Sequence, residues 1–384
     1  MPVSDFFSAR LAGKATLEPV RFEDLPGFEQ ADLRPAARAL ELSVNLLRDG
    51  APCLRPGVSL PSEIASILIT LEFGAAASSW EEARCFFRHH FAVFKIAPAD
   101  ACDAPNRGKA FLTGYYEPEV EGSWTPSPAF SEPILARPWD LITFEDGFAP
   151  LGADFRAGRL VEGGRFEPYP TRAAINAGAL ADRAKTLLWV RDGIEAFMIH
   201  VQGSARVMME NGPSVRLTYA GRNGRPYTSI GRILLEEGRV PPEDMTLERL
   251  KEWVRAAGQA QDESGRRLME RNESFIFFAA NANLAVEDGP IGAQGVSLSA
   301  LNSIAVDRSL WPYGLPFWIS GQIPWERTQP SAFHRLMIAQ DTGSAILGPA
   351  RADLFFGTGA TNGILAGQIR HPADMYVLLP KVDA

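Results

Sequence analysis

Apolar residues follow two rhythms along the 384-residue chain, a helical one at the start and a shorter, broken one afterwards. Leu33, Ala37, Leu40, Val44 and Leu47 recur at three- and four-residue steps and Gly50 follows as a stop, which predicts an amphipathic helix. Ser62 to Phe73 predicts a second helix. Ser79, with Glu82 three residues on, forms a capping box for a third that carries the core residues Phe86, Phe87 and Phe91.

From about Gly108 the runs shorten and are broken by Gly, Pro and Asn. Ile194 to Val201, Val207 to Met209 and Val215 to Tyr219 read as strands, and Asn223-Gly224 between apolar runs predicts a hairpin turn. One helix interrupts them: Thr246 is its N-cap, Leu247, Leu250, Trp253 and Val254 its apolar face, and Gly258 its end. After Ser274 strands are predicted at Phe275–Ala279, Val296–Leu298, Pro316–Ile319, Leu336–Ala339, Leu354–Phe356 and Tyr376–Leu379. Helices first and many short strands later predict an α+β fold, mainly β, with barrel character. The stretch from Pro126 to Phe166 is rich in Pro and Gly with little periodicity, and no internal repeat is visible.

Composition narrows the function. Apolar residues make up 46% and charged residues 22%, as in an ordinary globular protein, and the chain is long enough for two domains. A net charge of −8 and a pI near 5.3 exclude a broad nucleic-acid-binding surface. Cys53, Cys85 and Cys102 have no metal-ligand spacing, and the neighbours His89 and His90 cannot face one way on a helix, so neither metal nor cofactor is expected. No apolar run is long enough to span a bilayer. Met1 to Gly27 lacks the parts of a signal peptide, which taken alone places the chain in the cytoplasm.

There is no phosphate-binding G-x-x-x-x-G-K-[ST] loop and no G-x-S-x-G elbow; Gln202-Gly203-Ser204-Ala205-Arg206 lacks the final Gly. Carboxylate chemistry among Gly-rich turns remains. Asp341-Thr342-Gly343-Ser344 resembles an aspartic-protease signature, but such a site needs two aspartates sharing a proton, and a second copy is missing. Thr113-Gly114-Tyr115-Tyr116, Gln202-Gly203-Ser204 and Tyr219–Tyr227 combine aromatic faces with amides and hydroxyls, a composition suited to a polar, extended ligand such as a sugar chain and equally to turns with packed tyrosines.

Taken together and in order, Thr113–Pro118, Tyr169–Arg172, Gln202–Ser204, Tyr219–Gly224, Tyr227–Gly231, Asn272–Phe278, Gly292–Val296, Ala305–Ser309 and Asp341–Gly357 resemble the membrane-bound lytic murein transglycosylase A (MltA) family. Asp307, Asp341 and Asp353 match its 3D domain, which is named for three aspartates. The resemblance implies a double-psi β-barrel built from residues 1–117 and 285–384, with the helices at its start, and an inserted β-rich domain over residues 118–284. Glycan strands of peptidoglycan would lie in the groove between the two domains.

The resemblance also implies non-hydrolytic cleavage of the β-1,4 bond between N-acetylmuramic acid and N-acetylglucosamine, leaving 1,6-anhydromuramoyl ends. The catalytic role falls on Asp353, with Asp341 in support, either orienting Asp353 or bonding a sugar. Thr113, Tyr115, Tyr116, Gln202, Gly203, Ser204, Asn223, Tyr227 and Asp307 are the candidate substrate contacts, although Asp307, before a Pro-containing turn, also reads as structural. A non-catalytic peptidoglycan-binding protein on the same fold is the alternative. The expected partner is peptidoglycan, with no nucleic acid and an outer-membrane association, and the protein is expected to act as a monomer. The expected location is the periplasm or the periplasmic face of the outer membrane, with an export signal outside this numbering.

Overall fold

The computed structural model describes residues 3–99, 108–144, 150–151, 155–281, 288–327 and 329–382. Cys102 and the domain boundary expected at Leu284 lie outside them. The chain divides into two compact units. One comprises Met1–Tyr116, Val286–Gly357 and Thr361–Ala384; the other comprises Glu117–Ala285 and Thr358–Ala360.

In the first unit six strands form a closed ring. Their order is Ala110–Glu117, Arg370–Pro380, Pro316–Ile323, Ser331–Asp341, Ser303–Val306, Arg351–Thr358 and back to Ala110–Glu117. Closure removes the free edges that an open sheet would expose. The long strand Arg370–Pro380 makes it possible by changing partner along its length. Arg370 to Ala373 pair with Thr113 to Ala110, whereas Tyr376 to Pro380 pair with Lys95 to Phe91. Phe91–Pro98 in turn pairs with Ala15–Val20 outside the ring. Side chains such as Trp311, Phe317, Trp318, Phe333 and Met337 are buried, with Phe7 stacked on Trp311 and Phe28 edge-on to Trp318.

The helix expected around Leu33–Leu47 spans Arg34–Arg48 and buries Ala36, Ala37, Leu40, Ser43 and Val44. The second runs Ser62–Ile69 and the third Trp80–His90, whose cap Ser79 accepts from the Glu82 N–H as predicted. Phe91 is not in that helix; it begins the strand Phe91–Pro98.

The second unit carries a six-stranded sheet in the order Ile276–Asn281, Val215–Arg222, Ala205–Met209, Glu119–Ser123, Thr186–Val190, Glu132–Leu135, and a three-stranded sheet of Ile142–Thr143, Ala157–Val161 and Arg165–Pro168. Three expectations are corrected. Ile194–Val201 is not a strand but most of the helix Gly193–Gln202. It is apolar nearly all round because it is buried on two sides: Ala196 and Ile199 join one core cluster, and Ile194, Phe197 and Met198 another. Its signals were the ends, Asp192 accepting from the Glu195 N–H and Gly203 in the left-handed conformation. Val296–Leu298 forms only the isolated bridge Ile291↔Ser297. Asn223-Gly224 makes no hairpin; the strand Val215–Arg222 pairs instead with Ile276–Asn281, over fifty residues on. The helix capped by Thr246 is present, at Leu247–Ala256.

Asn223 is fully buried and its amide is saturated. Nδ2 donates to the carbonyls of Pro170 and Glu273, and Oδ1 accepts from the N–H groups of Phe275 and Arg225. The expectation that it contacts substrate is therefore corrected: it holds three chain segments together. Asn223→Ala is expected to destabilise this unit by about 2–4 kcal/mol, because several buried backbone groups lose their partner at once. Chemical denaturation checks this, and a change under about 1 kcal/mol would contradict it. Among the described residues, no helix is long and apolar enough to cross a membrane.

Candidate active site

The site is built on one row of the ring. Ala305 is paired on one side with Asp341, in parallel register, and on the other with Asp353, antiparallel. Residues opposite one another across a ladder project to the same face, so both aspartates share a face with small Ala305 between them. Two strand spacings of about 4.8 Å set their backbones roughly 10 Å apart.

A bulge makes this register possible. Ile304 pairs with Ala339, but Ala305 pairs with Asp341, so Gln340 is the extra residue. In unbroken register Asp341 would project to the other face. Gln340 is buried and anchors the bulge: Oε1 accepts from Ser303 Oγ at 2.6 Å, and Nε2 donates to the Ala39 carbonyl at 2.7 Å and to Ser43 Oγ at 2.9 Å. The helix Arg34–Arg48 thus fixes where Asp341 points.

Next to the Asp353 strand runs Ala110–Glu117, with Thr113 and Tyr115 two residues apart and so on one face. Thr113 Oγ1 donates to Asp353 Oδ1 at 2.5 Å, and Arg351 Nη2 donates to Thr113 Oγ1 at 2.8 Å. The Tyr115 ring packs at 5.3 Å from Phe355, and its hydroxyl donates to Asp341 Oδ2 at 2.9 Å. Asp341 Oδ1 accepts from the Ala293 N–H at 2.9 Å and from its neighbour Thr342 at 2.8 Å.

Asp353 remains partly exposed. Burial nevertheless pushes its carboxyl up to about 6, against the Thr113 hydrogen bond and the Arg351 charge and with some help from Asp341. Arg351 lowers it less than Thr113 does; its Nη1 donates to the carbonyls of Ala352 and Phe111, and its guanidinium lies over the Phe111 ring. Burial also raises Asp341, partly offset by its three donors and the Arg55 charge, and it raises the Tyr115 phenol well above its ordinary range. Both carboxyls are thus raised by burial, and Asp341 is the one engaged by Tyr115 and two backbone donors.

The other sequence candidates sit differently. Tyr116 is buried and projects to the opposite side of its strand from Thr113 and Tyr115. Asp307 is corrected as a substrate contact. It is 6% exposed, its Oδ1 accepts from the Ser309 N–H and hydroxyl, and its Oδ2 accepts from the Gly348 N–H. It fixes the turn before Asp353, the structural role its sequence position also suggested. Gln202, Gly203, Ser204, Asn223 and Tyr227 all belong to the other unit, where Gly203 closes the helix Gly193–Gln202 and Ser204 is largely buried. Ala305 and the Ala293 amide were not singled out. A small residue in an apolar run and a backbone N–H leave almost no signal in a sequence.

Comparison with known proteins agrees with this architecture. The MltA specific insert domain matches residues 111–279 and the 3D domain residues 302–379. Membrane-bound lytic murein transglycosylase A of Vibrio cholerae serotype O1 is 32% identical over 285 residues, 73% of this chain and 68% of that protein. The protein of that name from Escherichia coli K12 is 32% identical over 278 residues, 72% of this chain and 67% of that one. Among solved structures, a membrane-bound lytic murein transglycosylase from Agrobacterium tumefaciens superposes with a TM-score of 0.79 at 34% identity, covering 95% of this chain and 97% of that one. Escherichia coli MltA with bound chitohexaose gives 0.63 at 25% identity, covering 95% and 92%. With both domains matched in order and these relatives aligned over most of their length, the chain belongs to the membrane-bound lytic murein transglycosylase A family.

Proposed function

We propose that this protein is a peptidoglycan lytic transglycosylase that uses Asp353 as its single acid and base. The observation that carries the reading is a partly exposed carboxyl raised to about 6, with the other carboxyl of its row engaged by three donors. Membership of a family whose named members are lytic murein transglycosylases supports the class of substrate. The six-stranded ring is compatible with a double-psi barrel, with residues 118–284 inserted into it.

A hydrolytic glycosidase needs a second carboxylate to activate water or to attack the sugar. A transglycosylase does not, because the muramic acid's own C6 hydroxyl is the nucleophile and is already tethered to the reacting ring. Protonated Asp353 gives its proton to the glycosidic oxygen as the C1–O4 bond breaks. The resulting carboxylate takes the proton from the C6 hydroxyl as O6 closes on C1. No water enters, and Asp353 ends protonated, ready for the next bond. Asp341 positions Tyr115 beside the cleavage point, and Thr113 aims the Asp353 carboxyl. The substrate implies action in the periplasm, and the protein is proposed to act there as a monomer.

Mass analysis of muropeptides released from purified peptidoglycan tests the reaction. Anhydro ends, lighter by one water than reducing ends, are expected; reducing ends alone would overturn the reading. The proton requirement gives a second test. Activity is expected to fall about tenfold per pH unit above about 6, where Asp353 loses its proton. Thr113 donates to the charged carboxylate and so holds this limb down. Thr113→Val is therefore expected to move the limb to higher pH and to lower kcat by about tenfold. A limb that stays in place would detach Thr113 from the acid.

A further inference from the structure

Two strings noted in the sequence, Tyr169–Arg172 and Asn272–Phe278, meet at one buried guanidinium that plays no part in the reaction above. Arg172 is 4% exposed; its Nε donates to the Asn272 carbonyl at 2.9 Å and its Nη2 to that of Ser274. Its plane lies between the rings of Phe197 and Phe275, at 4.7 and 5.1 Å from their centres. Among the described residues no carboxylate pairs with it. Glu132 and Glu270 are taken up by Arg266, and Glu270 also by Asn176.

The third contact of Arg172 fixes the state of a histidine. Nη1 lies 2.8 Å from Nδ1 of His200, which is 5% exposed. A guanidinium only donates, so Nδ1 accepts and the ring proton sits on Nε2. Burial and the Arg172 charge keep the imidazole neutral by holding it well below its ordinary range. Its Nε2–H is buried with no acceptor among the described residues, and a buried donor of this kind favours any ligand that brings it an acceptor.

Both side chains line a cavity of about 90 Å³. That is several times the roughly 10–15 Å³ needed by one water. Its charged lining is Arg172, Arg266 and Glu132; Arg266 is shared by Glu132 and Glu270, which leaves Arg172 as the lining cation with no carboxylate in contact, and Ile175, Phe197 and Met269 supply apolar wall. We propose that this cavity binds a small carboxylate, free or at the end of a peptide. One oxygen accepts from His200 Nε2–H, the charge compensates Arg172, and the short alkyl part lies against Ile175 and Met269.

The test uses the full chain. Sodium propionate is titrated at constant ionic strength against sodium chloride, following thermal stability and the His200 Nε2–H proton resonance. A saturable stabilisation is expected with propionate and not with chloride, together with a shift of that resonance. Ala196→Leu fills the cavity and leaves Arg172 and His200 in place, whereas His200→Phe removes the donor. Each is expected to weaken propionate binding by about tenfold or more. Alanyl-alanine and its C-terminal amide distinguish the sources. A response to the free dipeptide alone assigns a peptide terminus; a response to propionate alone assigns a free acid. The proposal is overturned if neither acid binds, if chloride acts equally, or if binding is undiminished in whichever of the two variants folds.

Discussion

Asp353→Asn is expected to cut cleavage of peptidoglycan by about 10²–10⁴-fold, the range a positioned acid–base group supplies. The amide is nearly isosteric and still accepts from the Thr113 hydroxyl, so the fold and glycan binding should persist. It cannot donate a proton to the leaving oxygen or take one from C6. Loss should therefore fall on kcat with KM little changed, the pattern of an interaction used only in the transition state. The limb near pH 6 should vanish with it, because its titrating group is gone. Asp341→Asn should cost less, since Nδ2 or Oδ1 can still hold part of the Tyr115 and Ala293 geometry. If Asp353→Asn retained more than about a tenth of the activity, the acid would have to be sought elsewhere.

The largest stability effect is expected at Glu117. It is completely buried beside Arg216, itself 4% exposed. Nη2 donates to Oε2 at 3.3 Å, and Thr358 Oγ1 donates to the same oxygen at 2.7 Å. Nε and Oε1 lie 2.9 Å apart but are not aligned as a hydrogen bond, so this second contact is a close ion pair rather than a directional one. Burial pushes the Glu117 carboxyl up despite these partners, a sign that desolvation outweighs the attraction. Such a pair adds little net stability, yet removing one member is expensive. Glu117→Ala is expected to destabilise its unit by about 3–5 kcal/mol, because Arg216 keeps its charge without its carboxylate. Replacing both, as Glu117→Leu with Arg216→Met, should recover most of the loss. Denaturant midpoints of the three variants test this. A double variant as unstable as the single one would contradict it.

The candidate site is legible in the sequence, but unevenly. The aspartates and the Thr113-Gly114-Tyr115 string stood out because chemistry concentrates rare residue types in short runs. The proposal of Asp353 as acid rests on family resemblance; the balance between its burial and Arg351 depends on where the guanidinium points, which no spacing encodes. The Gln340 bulge that aims Asp341 was invisible, since one extra residue in an apolar run changes no pattern. Asn223 misled for a related reason. Asn-Gly is a strong local turn signal, and here the amide serves contacts with Pro170, Glu273 and Phe275 instead. The helix Gly193–Gln202 was hidden because burial on two sides erases the polar face that gives a helix its period.

The closed ring also sets the order in which this enzyme can come into being. The strand holding Thr113 and Tyr115 is synthesised early, but its two neighbours in the ring are Arg351–Thr358 and Arg370–Pro380. More than two hundred residues must leave the ribosome before either is available. Pairings of such sequence separation form late and slowly. A chain that stops short of Arg351 therefore carries Thr113 and Tyr115 but neither Asp353 nor the two strands that would flank them. A protein that cuts the cell's own wall would be inert until its last strand is in place.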